Sequence, residues 1–457
     1  MRHCAATAKI VTGLAHDARQ ERATRLVWSI ALPAILTNVA TALFGLADMW
    51  AIGRIGDPSA QGAVELGAKF MLGLLNVFNF LRTGTVALTA QAAGRAEPGE
   101  QAETLARAFG ASLAIATLLL IAMPLALPFG LDVLRAEGAV RTQAWDYVAI
   151  RYWGAPLWLA NCVLVGWLIG RRQVRAVLVV EIAANAVHIA LDLLLVLALD
   201  WGVKGVAGAT VMSEGLKLAL LAAIVLRRPE AREAGAAFMQ RATWHATPLK
   251  ALFAMNRDLF ARTLLLTGAM MIFARSGAQQ GPVILAANGI LFQIFMLSTL
   301  ILDGFENASQ VLCGEAIGAR DRRRFLAMVR TTLTWGAVLG AALALSYWMV
   351  GARFAASFST DADVQRAAAR YMPWVAMLPL AGFASFVLDG VFVGAGWTRA
   401  MLATMAAAIA VYLALLFLDT GLGNDGLWLA FTAFFLARAG GQALVMPRLV
   451  RRAFSAS

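Results

Sequence analysis

"GWLIGRRQVRA", residues 166 to 176, returns as "GVFVGAGWTRA", residues 390 to 400. Both glycines and the closing Arg-Ala pair coincide at an offset of 224 residues, and the same offset lays Gln91-Ala92-x-Gly94 on Glu315-Ala316-x-Gly318. With a small gap, Arg151-Tyr152 falls on Arg370-Tyr371, and Asp200-x-Gly202 on Asp419-x-Gly421. One such match carries little weight. Four in the same order describe a chain made of two copies of one unit.

Composition says what kind of unit this is. The chain is 60% hydrophobic and 14% charged over 457 residues, whereas a soluble domain is about half apolar and a quarter charged. Apolar stretches of roughly 20 residues recur along its length, each able to cross a bilayer as a helix. Nothing remains that could fold as a sizeable soluble domain. The pattern predicts twelve helices, at 26–52, 62–93, 104–128, 146–170, 174–199, 202–226, 255–274, 282–318, 324–350, 368–395, 398–419 and 425–447. Arg257, Asp258 and Arg262 crowd the start of the seventh, and Pro33, Pro124, Pro156, Pro373 and Pro379 are expected bends.

The longest polar interruption, about 227–254, separates two sets of six. Six is even, so both copies enter the membrane from the same side. The expected fold is an all-α polytopic membrane protein, with 12 transmembrane helices in two pseudo-twofold-related six-helix lobes around a cavity, the architecture of a transporter. The expected domains are a tail at 1–25, an N-lobe at 26–227, a linker at 228–254, a C-lobe at 255–450 and a tail at 451–457.

The net charge of +12 could suggest a nucleic-acid partner. The basic residues instead concentrate in every second short loop: Arg19, Arg22 and Arg25; Arg171, Arg172 and Arg175; Arg227, Arg228 and Arg232; Arg320 and Arg322 to Arg324; Arg448, Arg451 and Arg452. That is the positive-inside asymmetry, which places these loops and both termini in the cytoplasm and the lipid bilayer, not nucleic acid, as the surrounding partner. Residues 1–25 are too polar for a signal peptide's apolar core, so the first helix is expected to serve as a retained anchor. Cys4, Cys162 and Cys313 lie too far apart to suggest a disulfide framework or metal cluster.

Against this apolar background the ionisable residues stand out. Asp48, in "FGLADMWAIGRIG" (44–56), is the one ionisable side chain between Leu26 and Arg54. An ionised Asp in mid-bilayer costs about 3 to 10 kcal/mol, so such a residue faces a cavity, finds a partner or takes a proton. Its competing reading is a carboxylate that merely ends the first helix at the interface. In "EIAANAVHIALD", Glu181, Asn185, His188 and Asp192 are spaced four, three and four apart, within an arc of about 60° on a helix. A stripe of that kind cannot face lipid. Here the alternative is a buried network that locks the helix to its neighbours. His188 could share or relay a proton with Asp192. A second polar face comprises Asp303, Glu306, Asn307 and Gln310, Asp389 stands alone in the tenth helix, and Arg82 in the second needs an anion, for which Asp48 and Asp192 are both candidates. A structural lattice of ion pairs would explain these equally well. The sequence has no G-x-x-x-x-G-K-[ST] phosphate loop, too few histidines for an intramembrane metal site and no Ser/His/Asp set. The expectation is therefore no enzyme, no cofactor and no resident metal, with energy drawn from an ion gradient.

"IALP" (30–33) followed by "LADMWAIGRIG" (46–56) resembles the first helix of the multidrug and toxic compound extrusion (MATE) family. "LRTGTVALTAQAAG" (81–94), "LANCVLVGWLIG" (159–170), "LDWGVKGVAGAT" (199–210), "MNRDLFARTLLL" (255–266), "LDGFENASQVLCGEAIGARD" (302–321) and "LDGVFVGAG" (388–396) resemble its DinF-like branch. The resemblance runs from Leu26 to Arg452. It implies two lobes that open alternately to each side, exporting organic cations or other toxic, amphipathic small molecules in exchange for H+ or Na+. It further implies that Asp48 and Asp192 are the acids of the N-lobe cation site. Many relatives carry Asn one turn before the second acid where this chain has His188, which favours H+ because an imidazole titrates. The C-lobe acids Asp303, Glu306 and Asp389 carry over only loosely. The expectation is a monomeric antiporter of a bacterial cytoplasmic membrane. Its alternatives are a flippase of lipid-linked precursors and a non-transporting membrane stress protein.

Overall fold

The computed structural model describes residues 2–418 and 421–455, and of residues 2–19, 43–47, 247, 248 and 251 the backbone alone. Asp419, half of one repeat match, and the Cys4 side chain lie outside the described residues. Among those described there is no strand. The α-helices are α1 (Arg2–Gly53), α2 (Pro58–Asn76), α3 (Phe80–Arg95), α4 (Pro98–Val133), α5 (Gly138–Trp153), α6 (Ala155–Gly170), α7 (Val174–Asp192), α8 (Gly202–Leu226), α9 (Pro229–Met239), α10 (Ala246–Ala278), α11 (Pro282–Gly318), α12 (Arg322–Ala356), α13 (Ala362–Gly394), α14 (Thr398–Phe417) and α15 (Asn424–Phe454).

Among the described residues, eleven helical segments are long and apolar enough to cross a membrane, and α5 with α6, meeting at 45°, supplies a twelfth. The chain is an all-α, twelve-span membrane protein. The bend between α5 and α6 falls at Gly154, two residues before Pro156, whose missing N–H and fixed φ suit a helix start better than its middle. A single 3-10 turn at 77–79 joins α2 to α3, so Pro58–Arg95 acts as one span.

α1 is continuous from Arg2, so the residues expected as an N-terminal tail are helical and run on into the first span. The polar interruption at 227–254 is also largely helical. It contains α9, whose buried Ala231, Ala234 and Ala237 recur every third residue and give it an apolar stripe. Trp244 closes against Gly110 of α4, where an added Cβ would lie 2.3 Å from the indole, and Arg107 donates to the Thr243 carbonyl (2.9 Å).

Helix starts are set by local chemistry. Asp57, Asp321 and Asp361 cap α2, α12 and α13 by accepting from backbone N–H groups at 2.8 to 3.0 Å. Hydrogen bonds from the Gln143 amide and the Ser59 N–H hold the Asp57 carboxyl below its ordinary range.

The sequence repeat has a structural counterpart. Gly170 and Gly394 each end a helix, and the residues two further on, Arg172 and Gly396, both take a left-handed backbone (φ 59° and 74°). Gln173 N–H then reaches back to the Leu168 carbonyl and Trp397 N–H to that of Phe392, each at 2.8 Å, closing the same six-residue turn. The glycines one turn earlier do a second job. A Cβ on Gly166 would lie 2.6 Å from the Arg82 carbonyl, and one on Gly390 would lie 2.1 Å from the Glu306 carbonyl. Those two carbonyls are themselves 224 residues apart. Each repeat therefore packs the helix before the turn, α6 or α13, backbone to backbone on the same partner position, in α3 or α11.

Contacts divide the chain into two units, residues 36–260 and residues 1–35 with 261–457; the boundaries fall inside α1 and α10. The core of the first gathers Tyr147, Val148, Tyr152, Leu159 and Val206. The second has an aromatic core in which Phe273, Phe295, Trp428, Phe431 and Phe435 meet mostly edge to face. Large apolar side chains such as Leu125, Phe129, Trp348 and Leu444 stand on the outside, the surface a bilayer requires.

Candidate functional site

The stripe on α7 faces inward within unit 36–260. Glu181, His188 and Asp192 are buried, while Val179, Ile182 and Ile189 on the far side are exposed. Asn185 donates to the Ala40 carbonyl of α1 at 3.1 Å, tying the stripe to the helix that carries Asp48.

Asp48 is 5% exposed, Asp192 1% and His188 not at all. His188 Nε2 lies 2.5 Å from Asp48 Oδ1 and 3.0 Å from Asp192 Oδ2. The first contact has hydrogen-bond geometry, and both Asp192 oxygens are buried without a hydrogen-bond partner. The other ring nitrogen, Nδ1, lies 3.3 Å from Ser213 Oγ of α8. Ser213 has one hydroxyl proton and donates it to the Thr210 carbonyl at 2.9 Å. It therefore accepts from His188, and Nδ1 carries a proton. The centre thus brings one imidazole and two carboxylates, carried by two helices, to within 3.0 Å of a single ring nitrogen.

Toward the other end of α7, Lys217 of α8 pairs with Glu181 at 2.5 Å. Glu214 accepts from Asn161 of α6 at 2.6 Å, so a second polar group ties α6, α7 and α8. Arg82 contributes its charge near Cys162 beside these residues. Neither candidate partner meets it: among the described residues Arg82 forms no ion pair with Asp48 or Asp192, and the group that meets both is His188.

Unit 1–35 with 261–457 has a charged centre of its own. Asp389 of α13 is fully buried, and its Oδ2 accepts from Nη2 of both Arg262 (α10) and Arg438 (α15). Its Oδ1 accepts from Gln442 at 2.6 Å and from Arg438 Nε at 3.4 Å. Glu306 and Asp303 lie within electrostatic reach on α11. Asn307 donates to the Asp303 carbonyl one turn earlier (2.8 Å), and Gln310 is buried where α11 crosses α13.

Arg262, Arg438, Gln442, Ser213, Glu214 and Lys217 were missed in the sequence reading. Arg438, an isolated guanidinium in "FFLARAGG" (434–441), carried the same warning as Arg82, a charge inside an apolar run. The others sat near helix ends or beside other polar residues, where a charge is unremarkable.

The MatE family model matches residues 33–194 and again 259–418. The chain belongs to the MatE family. Its relatives include the DNA damage-inducible protein F of Escherichia coli strain K12, 32% identical over 424 residues that cover 93% of this chain and 92% of that one. The probable multidrug resistance protein NorM of Bradyrhizobium diazoefficiens is 27% identical over 93% of each chain. Among solved structures, a MATE protein in the bent conformation superposes with a TM-score of 0.86, covering 95% of this chain and 97% of that one at 17% identity. An outward-facing multidrug resistance MATE family transporter gives 0.82, covering 94% and 96%, also at 17%. At such identities these two speak for the fold alone. As a MatE protein the chain is a multi-pass membrane transporter of small molecules and not an enzyme.

Proposed function

We propose that this transporter is an antiporter that exports organic cations and other amphipathic toxic compounds in exchange for protons, with Asp48, His188 and Asp192 as the coupling centre. The observation that carries this is the single imidazole nitrogen between two buried carboxylates at 2.5 and 3.0 Å. All three groups titrate, so the centre can gain or lose protons without rebuilding. Each proton changes the attraction between α1, which carries Asp48, and α7, which carries the other two. With both acids ionised the centre favours a cationic substrate. Protons arriving from outside neutralise it, weaken that preference and free the substrate to leave. The three ligand atoms lie within 4.8 Å of one another, so Na+ is the alternative occupant. Imidazole in place of an oxygen donor favours H+, because hard cations prefer oxygen ligands.

The names of the relatives, one a multidrug resistance protein, support the substrate class. The crowding of arginines into alternate loops supports a bacterial cytoplasmic membrane with both termini inside. The lobes at 26–227 and 255–450 act as the two moving bodies of a monomer. The test is ethidium accumulation in an efflux-deficient host that expresses the wild type or Asp48→Asn, with and without an uncoupler. The wild type lowers accumulation only while the proton gradient stands, and the variant loses most of that effect. Equal accumulation in the two strains sinks the proton-coupled assignment of Asp48. A build-up of lipid-linked precursors in cells lacking the protein points to the flippase instead.

A further inference from the structure

Arg262 has more hydrogen-bond donors than its surroundings use. A guanidinium carries five. Arg262 spends one, on Nη2, on Asp389, while its Nε is buried with no acceptor and 17% of the side chain remains exposed. Asp389 has nothing further to offer, since Arg262, Arg438 and Gln442 fill both of its oxygens. Two permanent positive charges share one carboxylate at hydrogen-bond distance, with the other acids, Glu306 and Asp303 of α11, acting on Arg262 electrostatically.

Glu306 lies within electrostatic reach of Arg262 and Arg438, with Asp303 and Asp389 as the like charges around it. Among the described residues its carboxylate nevertheless accepts no hydrogen bond. Its backbone is held by the Gly390 crossing, so only the side chain can swing. Arg438 is 2% exposed and engaged through both Nε and Nη2; it anchors Asp389, and Arg262, at 17%, is the less enclosed of the two guanidiniums.

We propose that Arg262 is a binding point for the anionic group of a transported molecule, a carboxylate, sulfonate or phosphate, and that Glu306 is the internal competitor displaced when such a group binds. The planar fork of a guanidinium suits these groups in particular. Substrates of this class are amphipathic molecules bearing an anion, in addition to the organic cations drawn by the acids of the other unit. The inference rests on the transporter reading.

The experiment titrates the purified full chain in detergent micelles with two probes, carboxyfluorescein as the anion and ethidium as the cation, read by fluorescence anisotropy. Arg262→Gln weakens carboxyfluorescein about tenfold more than it weakens ethidium, the scale of one lost charge-assisted contact, and Arg262→Lys restores part of the loss. Glu306→Gln removes the competitor and tightens carboxyfluorescein. It gives up no hydrogen bond, so it carries the test should Arg262→Gln fail to fold. The proposal is overturned if Glu306→Gln and Arg262→Gln both bind carboxyfluorescein as the wild type does. It is equally overturned if the wild type binds ethidium but not carboxyfluorescein. A wild type that binds neither probe sinks the transporter reading with it.

Discussion

In residues 36–260 one base lies between two acids; in the other unit one acid lies between two guanidiniums. The inversion separates two uses of buried charge. Histidine titrates within reach of physiological pH, so on the proposed reading the His188 centre changes its charge as the transport cycle turns. Guanidinium does not deprotonate in proteins, so Arg262 and Arg438 are fixed charges on either side of the Asp389 carboxylate. A centre made of groups that titrate can carry a load. One made of groups that do not can hold helices together and present a constant field.

The sharpest way to break this comparison is to remove the middle residue of each centre. Asp389→Asn leaves two buried guanidiniums without their carboxylate and should cost about 3–5 kcal/mol, read as a fall in the midpoint of thermal unfolding in micelles. A wild-type midpoint would mean the guanidiniums have another anion, and the contrast between units collapses. His188→Asn leaves two acids that can accommodate each other by taking up a proton, so its stability loss should be the smaller, about 1–3 kcal/mol. Its signature is functional: the pH profile of transport moves, whereas any Asp389→Asn protein that folds keeps the wild-type profile. An unmoved profile with normal expression would make His188 a packing residue.

The two centres were unequally legible in the sequence. The α7 stripe could be read because Glu181, Asn185, His188 and Asp192 share one helix, where spacing alone fixes a face. That Asp48 would meet it was implied by the family resemblance alone, since 140 residues separate Asp48 from His188 and no local pattern spans them. The Arg262–Asp389–Arg438 cluster draws one residue from each of three helices, and Arg262 sits where it looked like part of a polar helix start. Asp389 was noticed while its partners were not. The twelve spans were legible throughout, because a bilayer imposes a length and a polarity that each segment must satisfy alone. Linker helix α9 escaped because its buried stripe is alanine, too weakly apolar to announce a helix face.

The glycine crossings compare the units by packing. Gly390→Ala sets a methyl 2.1 Å from the Glu306 carbonyl, and Gly166→Ala sets one 2.6 Å from that of Arg82. Backbone cannot swing aside as a side chain can, so the helices must part, at a cost in the range of about 1–3 kcal/mol for overpacking. Gly390→Ala should fall at the upper end and Gly166→Ala below it, measured as two unfolding midpoints. The reverse order would mean that α6 and α3 are held more rigidly than α13 and α11.

The smallest effect lies outside the spans and shows what burial adds. Arg171, just past α6, pairs with Glu230 of α9 at 2.8 Å, while its guanidinium also stacks 4.5 Å over Trp167 and donates to Gln101 at 3.0 Å. Burial pushes the Glu230 carboxyl up, but Arg171 outweighs it and holds the group below its ordinary value. A carboxylate depressed in the folded state contributes stability above its unfolded pKa, and the contribution disappears as pH falls through the folded value. Glu230→Gln should therefore lower stability at neutral pH by no more than about 1 kcal/mol, a near-surface ion pair, and the gap to wild type should close as pH drops below roughly 4.5. A gap that persists in acid would assign the contribution to packing on Trp167 rather than to charge. Glu230 meets one guanidinium where Asp389 meets two, yet most of the expected difference comes from the medium. Water takes over the partners of a broken surface pair, and inside the membrane there is none to do so.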